Sequence, residues 1–69
     1  MTDLSKYARQ AALDARAVDA LVEGFGLTYD AAKQRYEPRS ARVEDGVLVF
    51  NYWEDGVQLR AEIEVKDDG

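Results

Sequence analysis

The sequence has no cysteine, no histidine and only one proline among its 69 residues. Without cysteine there is no disulfide, thiolate nucleophile or thiolate metal site, and small secreted domains usually depend on such staples. We therefore expect a protein of the cytoplasm. Residues 1–6 carry charges and lack a continuous apolar run, so they predict neither a signal peptide nor a membrane span.

Groups that usually perform catalysis are scarce. No imidazole or thiol is present, and no general base is predicted beside the serine and threonine hydroxyls. Gly24 and Gly26 end a predicted helix instead of opening one, so they do not indicate a phosphate-binding loop. We expect a protein that is not an enzyme, with no catalytic residues, no cofactor and no bound metal.

The chain is acidic, with a formal net charge of −5, and most of the negative charge lies near one end. Residues 43–69 hold eight acidic and two basic side chains. This balance disfavours direct binding to nucleic acid or to an anionic membrane and favours a protein partner with a basic surface. The length allows a single domain over residues 1–69.

The first half of the sequence has helical periodicity. Apolar residues four and three apart predict a helix over about residues 3–25 with one buried stripe. Gly26 is typical of a left-handed helix end, Thr28 of the cap of a second helix over about residues 29–36, and Pro38 of its termination. The stripe predicted to face the core contains Leu4, Ala8, Ala11, Ala15, Val18, Val22 and Phe25.

After Pro38, two Asp-Gly pairs separate runs rich in β-branched and aromatic residues. This pattern predicts a three-stranded antiparallel meander with strands over about residues 39–44, 47–53 and 57–65. Two-residue type I′ turns set the register and place apolar residues opposite one another on one face. We expect an α+β fold, ααβββ, with both helices on that face. The predicted apolar pairs are Val43–Leu48, Ala41–Phe50, Tyr52–Leu59, Phe50–Ala61 and Leu48–Ile63.

The other face of the predicted sheet carries an acidic cluster at one end. The register places Glu44 and Glu64 on either side of Val47, with Asp45 in the turn and Glu62 one row away. Carboxylates two residues apart on a strand lie about 6.6 Å apart, a spacing that permits imitation of nucleic-acid phosphates. The alternative is a solvated face whose charges prevent edge pairing. Calcium is a weaker alternative, because the carboxylates do not come from one loop. Asp67 and Asp68 are expected just beyond the last strand.

Two apolar features are further candidates for partner binding. Trp53 is predicted to lie exposed on the polar face with Val47 and Val49, as in a binding hot spot or a homodimer contact, or else to cap the end of the sheet. Leu13 is predicted opposite the core stripe of the first helix, where it could meet a partner helix. Basic residues between positions 33 and 42 are expected to pair with Asp30, Glu37 or Glu62 rather than to bind nucleic acid.

In size, acidity, lack of cysteine and helices-plus-meander plan, the chain resembles the small inhibitors encoded by bacteriophages and other mobile elements, including anti-CRISPR proteins. The resemblance implies blockade of a CRISPR surveillance complex or nuclease, often in its basic nucleic-acid channel. We therefore expect an inhibitor that docks on a basic, nucleic-acid-binding site of its partner. The alternatives are a self-associating structural or assembly subunit and an antitoxin-like regulatory accessory protein. The residues expected to make contact are Glu44, Asp45, Glu62, Glu64 and Trp53.

Overall fold

The computed structural model describes residues 4–65 and contains two helices followed by a three-stranded antiparallel sheet. The predicted α+β fold is confirmed. No helix in this range is long and apolar enough to cross a membrane. The elements are α1 (Leu4–Phe25), α2 (Tyr29–Arg35), β1 (Arg42–Glu44), β2 (Val47–Glu54) and β3 (Val57–Glu64), and the strand order is β1-β2-β3.

The break between the helices follows the local chemistry of three residues. Gly26 has φ of 69° and donates its backbone N–H to the Val22 carbonyl at 3.0 Å, which ends α1 in a left-handed turn. Thr28 is extended, and its hydroxyl accepts the Ala31 backbone N–H at 3.2 Å. Thr28 therefore caps the first turn of α2, as its side chain predicts.

The two hairpins have the predicted register. Both turns have positive φ at each central residue, 53° and 77° at Asp45 and Gly46 and 54° and 79° at Asp55 and Gly56. This is the type I′ signature, and its twist matches that of the paired strands. Eight residue pairs join β2 to β3, from Val47–Glu64 to Glu54–Val57, and three join β1 to β2.

The core lies between the helices and the inner face of the sheet, the face of Leu48, Phe50 and Tyr52. Its fully buried members come from α1, α2, the α2–β1 segment and β2. Tyr36 packs edge-on against Phe50 with ring centroids 6.0 Å apart. The buried set is Ala17, Val18, Leu21, Ala32, Tyr36, Ala41, Leu48, Phe50 and Tyr52.

The prediction of which α1 face meets the core was wrong for the first turns of the helix, although Val18 is buried and Val22 packs against the core as predicted. Ala8, Ala11 and Ala15 are exposed, whereas Ala17 and Leu21 are buried. The predicted and the observed stripes both have a helical period. The observed stripe contains Leu13 and Leu21, which are larger than the exposed alanines of the predicted stripe, and burying them removes more apolar surface from water. The helix is therefore rotated from the predicted orientation.

Strand β1 is shorter than predicted, because residues 39–41 do not continue the β1–β2 ladder. Arg39 adopts a positive φ of 64°, and an isolated bridge pairs Tyr36 with Tyr52. The Ser40 hydroxyl accepts the Asn51 N–H at 3.0 Å and donates to the Glu37 carbonyl at 2.7 Å. A side chain thus takes the place of a backbone partner where the loop leaves the ladder.

Candidate protein-binding surfaces

The outer face of the sheet, the face of Val47, Val49, Asn51 and Trp53, has the predicted rows of side chains. Glu44 and Glu64 pair with Val47 from either side, which brings the two carboxylate-bearing residues to one end of the sheet. We call Glu44, Asp45 and Glu64 the acidic corner. All three are exposed. Asp67 and Asp68, also expected nearby, lie outside the described residues.

Two arginines partly neutralise this face. Arg42 donates its Nε–H to Glu44, and Arg60 donates its Nε–H to Glu62 at 3.0 Å. The Nη2 of Arg60 lies 3.9 Å from Glu44 Oε1. The sequence pattern had suggested pairing of Arg42 with Glu62 or other acids, but its partner is the nearer residue on its own strand. The negative field of the outer face is therefore weaker at Glu62 and Glu44 than composition predicts.

The arginines also explain why one valine is hidden. Val49 is only 2% exposed, yet it does not belong to the core cluster of the inner face. Arg42 and Glu62 flank it in the ladder, and the contact between Arg60 and Glu44 spans its row. Long side chains can cover apolar surface with their aliphatic stems while their charged ends stay in water. The expectation that Val49 is an exposed contact residue is wrong.

Glu44 stays ionised more readily than a free glutamate. The hydrogen bond from Arg42 and the charge of the same guanidinium hold the pKa of Glu44 below its usual value, with a smaller contribution from Arg60. The side chain is open to solvent, so salt screens these interactions. Glu44 therefore presents a fixed and persistent negative charge at the acidic corner.

Trp53 lies at the opposite end of β2 from the acidic corner. The residue is 40% exposed, and its indole N–H donates to Glu37 Oε1 at 2.7 Å. It lies six positions after Val47, a distance of about 20 Å along an extended strand. A partner must cover the whole outer face to touch both the acidic corner and Trp53.

Leu13 does not lie on an exposed face of α1. It is partly buried and packs against the core cluster, in line with the rotated helix. The prediction that Leu13 lies opposite the core side of α1 is therefore wrong. Val47, the other valine predicted to lie beside Trp53 on the outer face, is only partly buried and so keeps some of its surface accessible.

A hydrogen-bond network that the sequence did not predict joins α1 to the segment before β1. The Tyr36 hydroxyl donates to Asp14 and accepts the Ala41 N–H at 3.1 Å. Gln10 Nε2 donates both to Asp14 Oδ1 and to the Ala41 carbonyl, each at 3.1 Å. Burial, followed by the hydrogen bond to Asp14, raises the pKa of Tyr36 to about 12. The network anchors the segment before β1 to α1 through side chains. Its members are distant in sequence, because 22 positions separate Asp14 from Tyr36.

Two alanines that were predicted to face the core instead line a groove between α1 and α2. Ala11 and Ala15 form part of its wall opposite Tyr29 and Lys33, and its volume is about 340 Å³. The Lys33 ammonium lies 5.4 Å from the centre of the Tyr29 ring, a cation–π contact. The groove is open along its length, so it offers a shallow surface rather than an enclosed ligand site.

A scan against protein-family models and searches of curated proteins and of solved structures found no match to this chain. Within residues 4–65, no cluster of three or more acidic side chains has a geometry that could hold a metal ion. The candidate surfaces therefore rest on geometry and charge alone.

Proposed function

We propose that this chain is a non-enzymatic binding protein that inhibits its partner by docking the acidic corner on a basic, nucleic-acid-binding surface. The observation that carries this proposal is the convergence of Glu44, Asp45 and Glu64, all exposed, at one end of a two-hairpin sheet. The net charge of −5 gives the whole molecule the same sign. Complementary charge raises association rates and fixes orientation in such complexes.

The ion pairs give the acidic corner a defined shape. Because Arg42 holds Glu44 in place, less side-chain freedom is lost when a partner cation approaches it. Glu64 and Asp45 supply charge that these arginines do not contact within the described ion pairs. In the proposed complex, Glu64 and Asp45 meet partner arginines or lysines directly, while Glu44 and Glu62 share theirs with Arg42 and Arg60.

Trp53 contributes apolar area only to a partner that covers the full outer face. Its exposed ring is the kind of residue that dominates interface energies, and Glu37 already satisfies its N–H. A site of standard size buries about 800 Å² on each partner, enough to reach from the acidic corner toward Trp53. CRISPR surveillance complexes and nucleases have extended basic channels of the required chemistry, and such a partner fits a protein encoded by a phage or another mobile element in a bacterial cytoplasm.

The test is a pull-down from a bacterial lysate at low and high salt, with the protein immobilised. The variant is Glu44→Lys with Glu64→Lys, and the matched control is Glu54→Lys with Asp55→Lys. Both double variants change the net charge by the same amount, and the control places the change at the other Asp-Gly turn. Circular dichroism checks that both remain folded.

We expect wild type and the control to retain a nucleic-acid-binding protein at low salt and to release it at high salt or when DNA or RNA is added. The Glu44→Lys, Glu64→Lys variant should retain at least about tenfold less, because like charges then face one another. Equal retention by the two double variants would show that the acidic corner is not the docking site. A partner that high salt does not release would contradict electrostatic docking altogether.

A further inference from the structure

Within the described residues strand β3 has a free edge, which carries the charged side chains of Arg60, Glu62 and Glu64 but none of the structural devices that usually prevent pairing. It is eight residues long, pairs with β2 without a bulge and contains no proline, glycine or lysine. Within residues 4–65 no strand lies on its other side. Natural proteins usually shorten, bend or cover such an edge, because its unpaired backbone groups can bind another strand. By contrast, β1 has only three residues and follows a loop.

The hairpin geometry shows which backbone groups of β3 face outward. Glu54 and Val57 flank a two-residue turn, so they form a hydrogen-bonded pair, and the Val65 N–H donates to the Gly46 carbonyl at 3.0 Å. Odd-numbered residues of β3 therefore direct their N–H and C=O groups toward β2. The even-numbered residues, Gln58, Arg60, Glu62 and Glu64, direct theirs to the free edge.

The inner face of β3 is also incompletely covered. Leu59 and Ile63 are each 37% exposed, although their partners on β2, Tyr52 and Leu48, are buried. The helices cover the central strand and leave the apolar side chains at this edge in contact with water. A neighbouring strand with apolar residues on the same face would bury them further.

We propose that two copies of this chain associate through β3, antiparallel and centred on Ala61, to form a continuous six-stranded sheet. In this register Leu59 lies opposite Ile63 of the second copy on the inner face, and Ala61 lies opposite Ala61. On the outer face Arg60 lies opposite Glu62 of the second copy, twice by symmetry. Every pair that the register creates between residues 59 and 63 is apolar with apolar or basic with acidic.

The neighbouring registers lack this complementarity. Centring on residue 60 places Arg60 opposite Arg60, and centring on residue 62 places Glu62 opposite Glu62. Like charges directly opposite one another are destabilising. A shift that pairs odd with even residues would place Leu59 and Ile63 opposite polar side chains of the outer face. One register therefore satisfies both faces, and it uses the outward N–H and C=O groups of Arg60 and Glu62 as a hydrogen-bonded pair.

The dimer is independent of the proposed inhibition. Glu44 and Asp45 of the acidic corner lie beyond β2 from the shared edge, and Glu64, which this register places opposite Gln58 of the second copy, keeps its side chain on the outer face. The experiment is therefore one of oligomeric state, without any partner. Sedimentation velocity of the purified protein over a wide concentration range should show the mass rise from 7.8 kDa toward twice that value.

Glu62→Pro tests the edge directly. The outward N–H of Glu62 is not used by β2, so proline removes a dimer hydrogen bond without removing one from the hairpin. We expect the variant to remain folded by circular dichroism and monomeric at every concentration. The matched control is Val43→Pro on the short strand β1, whose N–H also points away from β2, because Glu44 and Val47 flank the Asp45-Gly46 turn as a hydrogen-bonded pair. It tests whether any edge proline has this effect, and it should still form a dimer. Arg42→Glu is a second control that changes charge on the same face without touching β3.

Charge exchange tests the register. Arg60→Glu and Glu62→Arg, each alone, place like charges opposite one another and should weaken the dimer about tenfold or more. The double variant Arg60→Glu with Glu62→Arg restores opposite charges and should recover most of the loss. Loss in the single variants without recovery in the double would overturn this register.

A cross-link tests the centre of the interface. The sequence has no cysteine, so Ala61→Cys introduces one thiol, and the proposed register places the two copies of it directly opposite, within disulfide range. Mild oxidation should convert this variant to a covalent dimer, whereas Val57→Cys, whose copies lie about 27 Å apart in this register, should stay monomeric. A wild-type monomer at all concentrations, or cross-linking of Val57→Cys as efficient as that of Ala61→Cys, would overturn the proposal.

Discussion

The two edge strands are secured to the central strand in different ways. β3 is joined to β2 by eight consecutive backbone pairs, so its position follows from a turn and an alternating pattern. β1 has three such pairs and depends on side-chain hydrogen bonds: Tyr36 and Gln10 bond to the backbone of Ala41, which leads into β1, and the Ser40 hydroxyl accepts the N–H of Asn51 on β2. The comparison shows that a regular ladder makes a strand predictable but leaves its far edge open, whereas a side-chain network shortens a strand and anchors it to the helices.

The largest loss of stability is expected from truncating Phe50, because it contacts both the segment before β1 and strand β3. Phe50 is 1% exposed, packs against Tyr36 toward β1 and pairs with Ala61 on β3. Phe50→Ala should lower the free energy of unfolding by about 3–5 kcal/mol, a large part of the total for a domain of this size. Urea denaturation followed by circular dichroism measures the loss.

Leu59→Ala is the matched truncation on the edge strand. Because Leu59 is already 37% exposed, its loss should cost less than about 2 kcal/mol when measured at concentrations where the protein is monomeric. Equal losses in the two variants would mean that β3 is as tightly packed as β2, which would contradict the description of an incompletely covered edge.

The next largest loss of stability is expected from the hydrogen bonds that anchor the segment before β1. Tyr36→Phe keeps the ring against Phe50 but removes the hydroxyl that serves Asp14 and Ala41. Leaving the Ala41 N–H and the Asp14 carboxylate without this partner should lower the unfolding free energy by about 1–3 kcal/mol. Tyr7→Phe, at a tyrosine that is 72% exposed, is the control and should change stability by less than about 0.5 kcal/mol.

The raised pKa of Tyr36 predicts that the stability of the fold depends on pH. Its pKa is raised from 10.0 to about 12 in the folded protein, so the folded state retains a proton that the unfolded state loses. The stability contributed by neutral Tyr36 is therefore fully present below pH 10 and is lost as the pH rises from 10 to about 12. Urea unfolding at successive pH values should show this decline in wild type and a shallower one in Tyr36→Phe. The same slope in both proteins would assign the decline to other groups.

The sequence allowed prediction of those features that depend on neighbouring residues. Two Asp-Gly turns and strict alternation were enough to obtain the pairs of β2 with β3, and with them the rows that bring Glu44 and Glu64 to one end. The orientation of α1 could not be obtained in this way, because two of its faces have a helical period and the choice depends on what the sheet presents. The bond between Tyr36 and Asp14 joins residues that no local pattern connects.

Burial on the outer face was equally inaccessible to pattern reasoning. Alternation assigns Val49 to the polar face correctly. It does not show that the contact between Arg60 and Glu44 spans the row of Val49, which lies between their own rows. Long charged side chains cover neighbours that lie outside their own row, so exposure cannot be read from face assignment alone. For this reason the register placed the carboxylates at one end of the sheet correctly, but the sequence pattern overestimated both their free charge and the accessible apolar area.

The smallest expected effect is on the pKa of Glu44, which the arginines of the two edge strands lower to different extents. Arg42→Gln should raise the pKa of Glu44 toward its ordinary value of 4.5, because it removes the two largest causes of the depression, and Arg60→Gln should raise it less. NMR titration of the Glu44 side chain in dilute protein measures both, with Arg35→Gln on α2 as a control that should leave the pKa of Glu44 unchanged. Stability linked to Glu44 is present above pH 4.5 and declines as the pH falls through the lowered pKa, and Arg42→Gln should weaken that decline. An equal or larger rise with Arg60→Gln would mean that Arg60 is engaged chiefly with Glu44. That arginine would then be less free to meet Glu62 of a second copy, so this measurement also bears on how β3 uses its open edge.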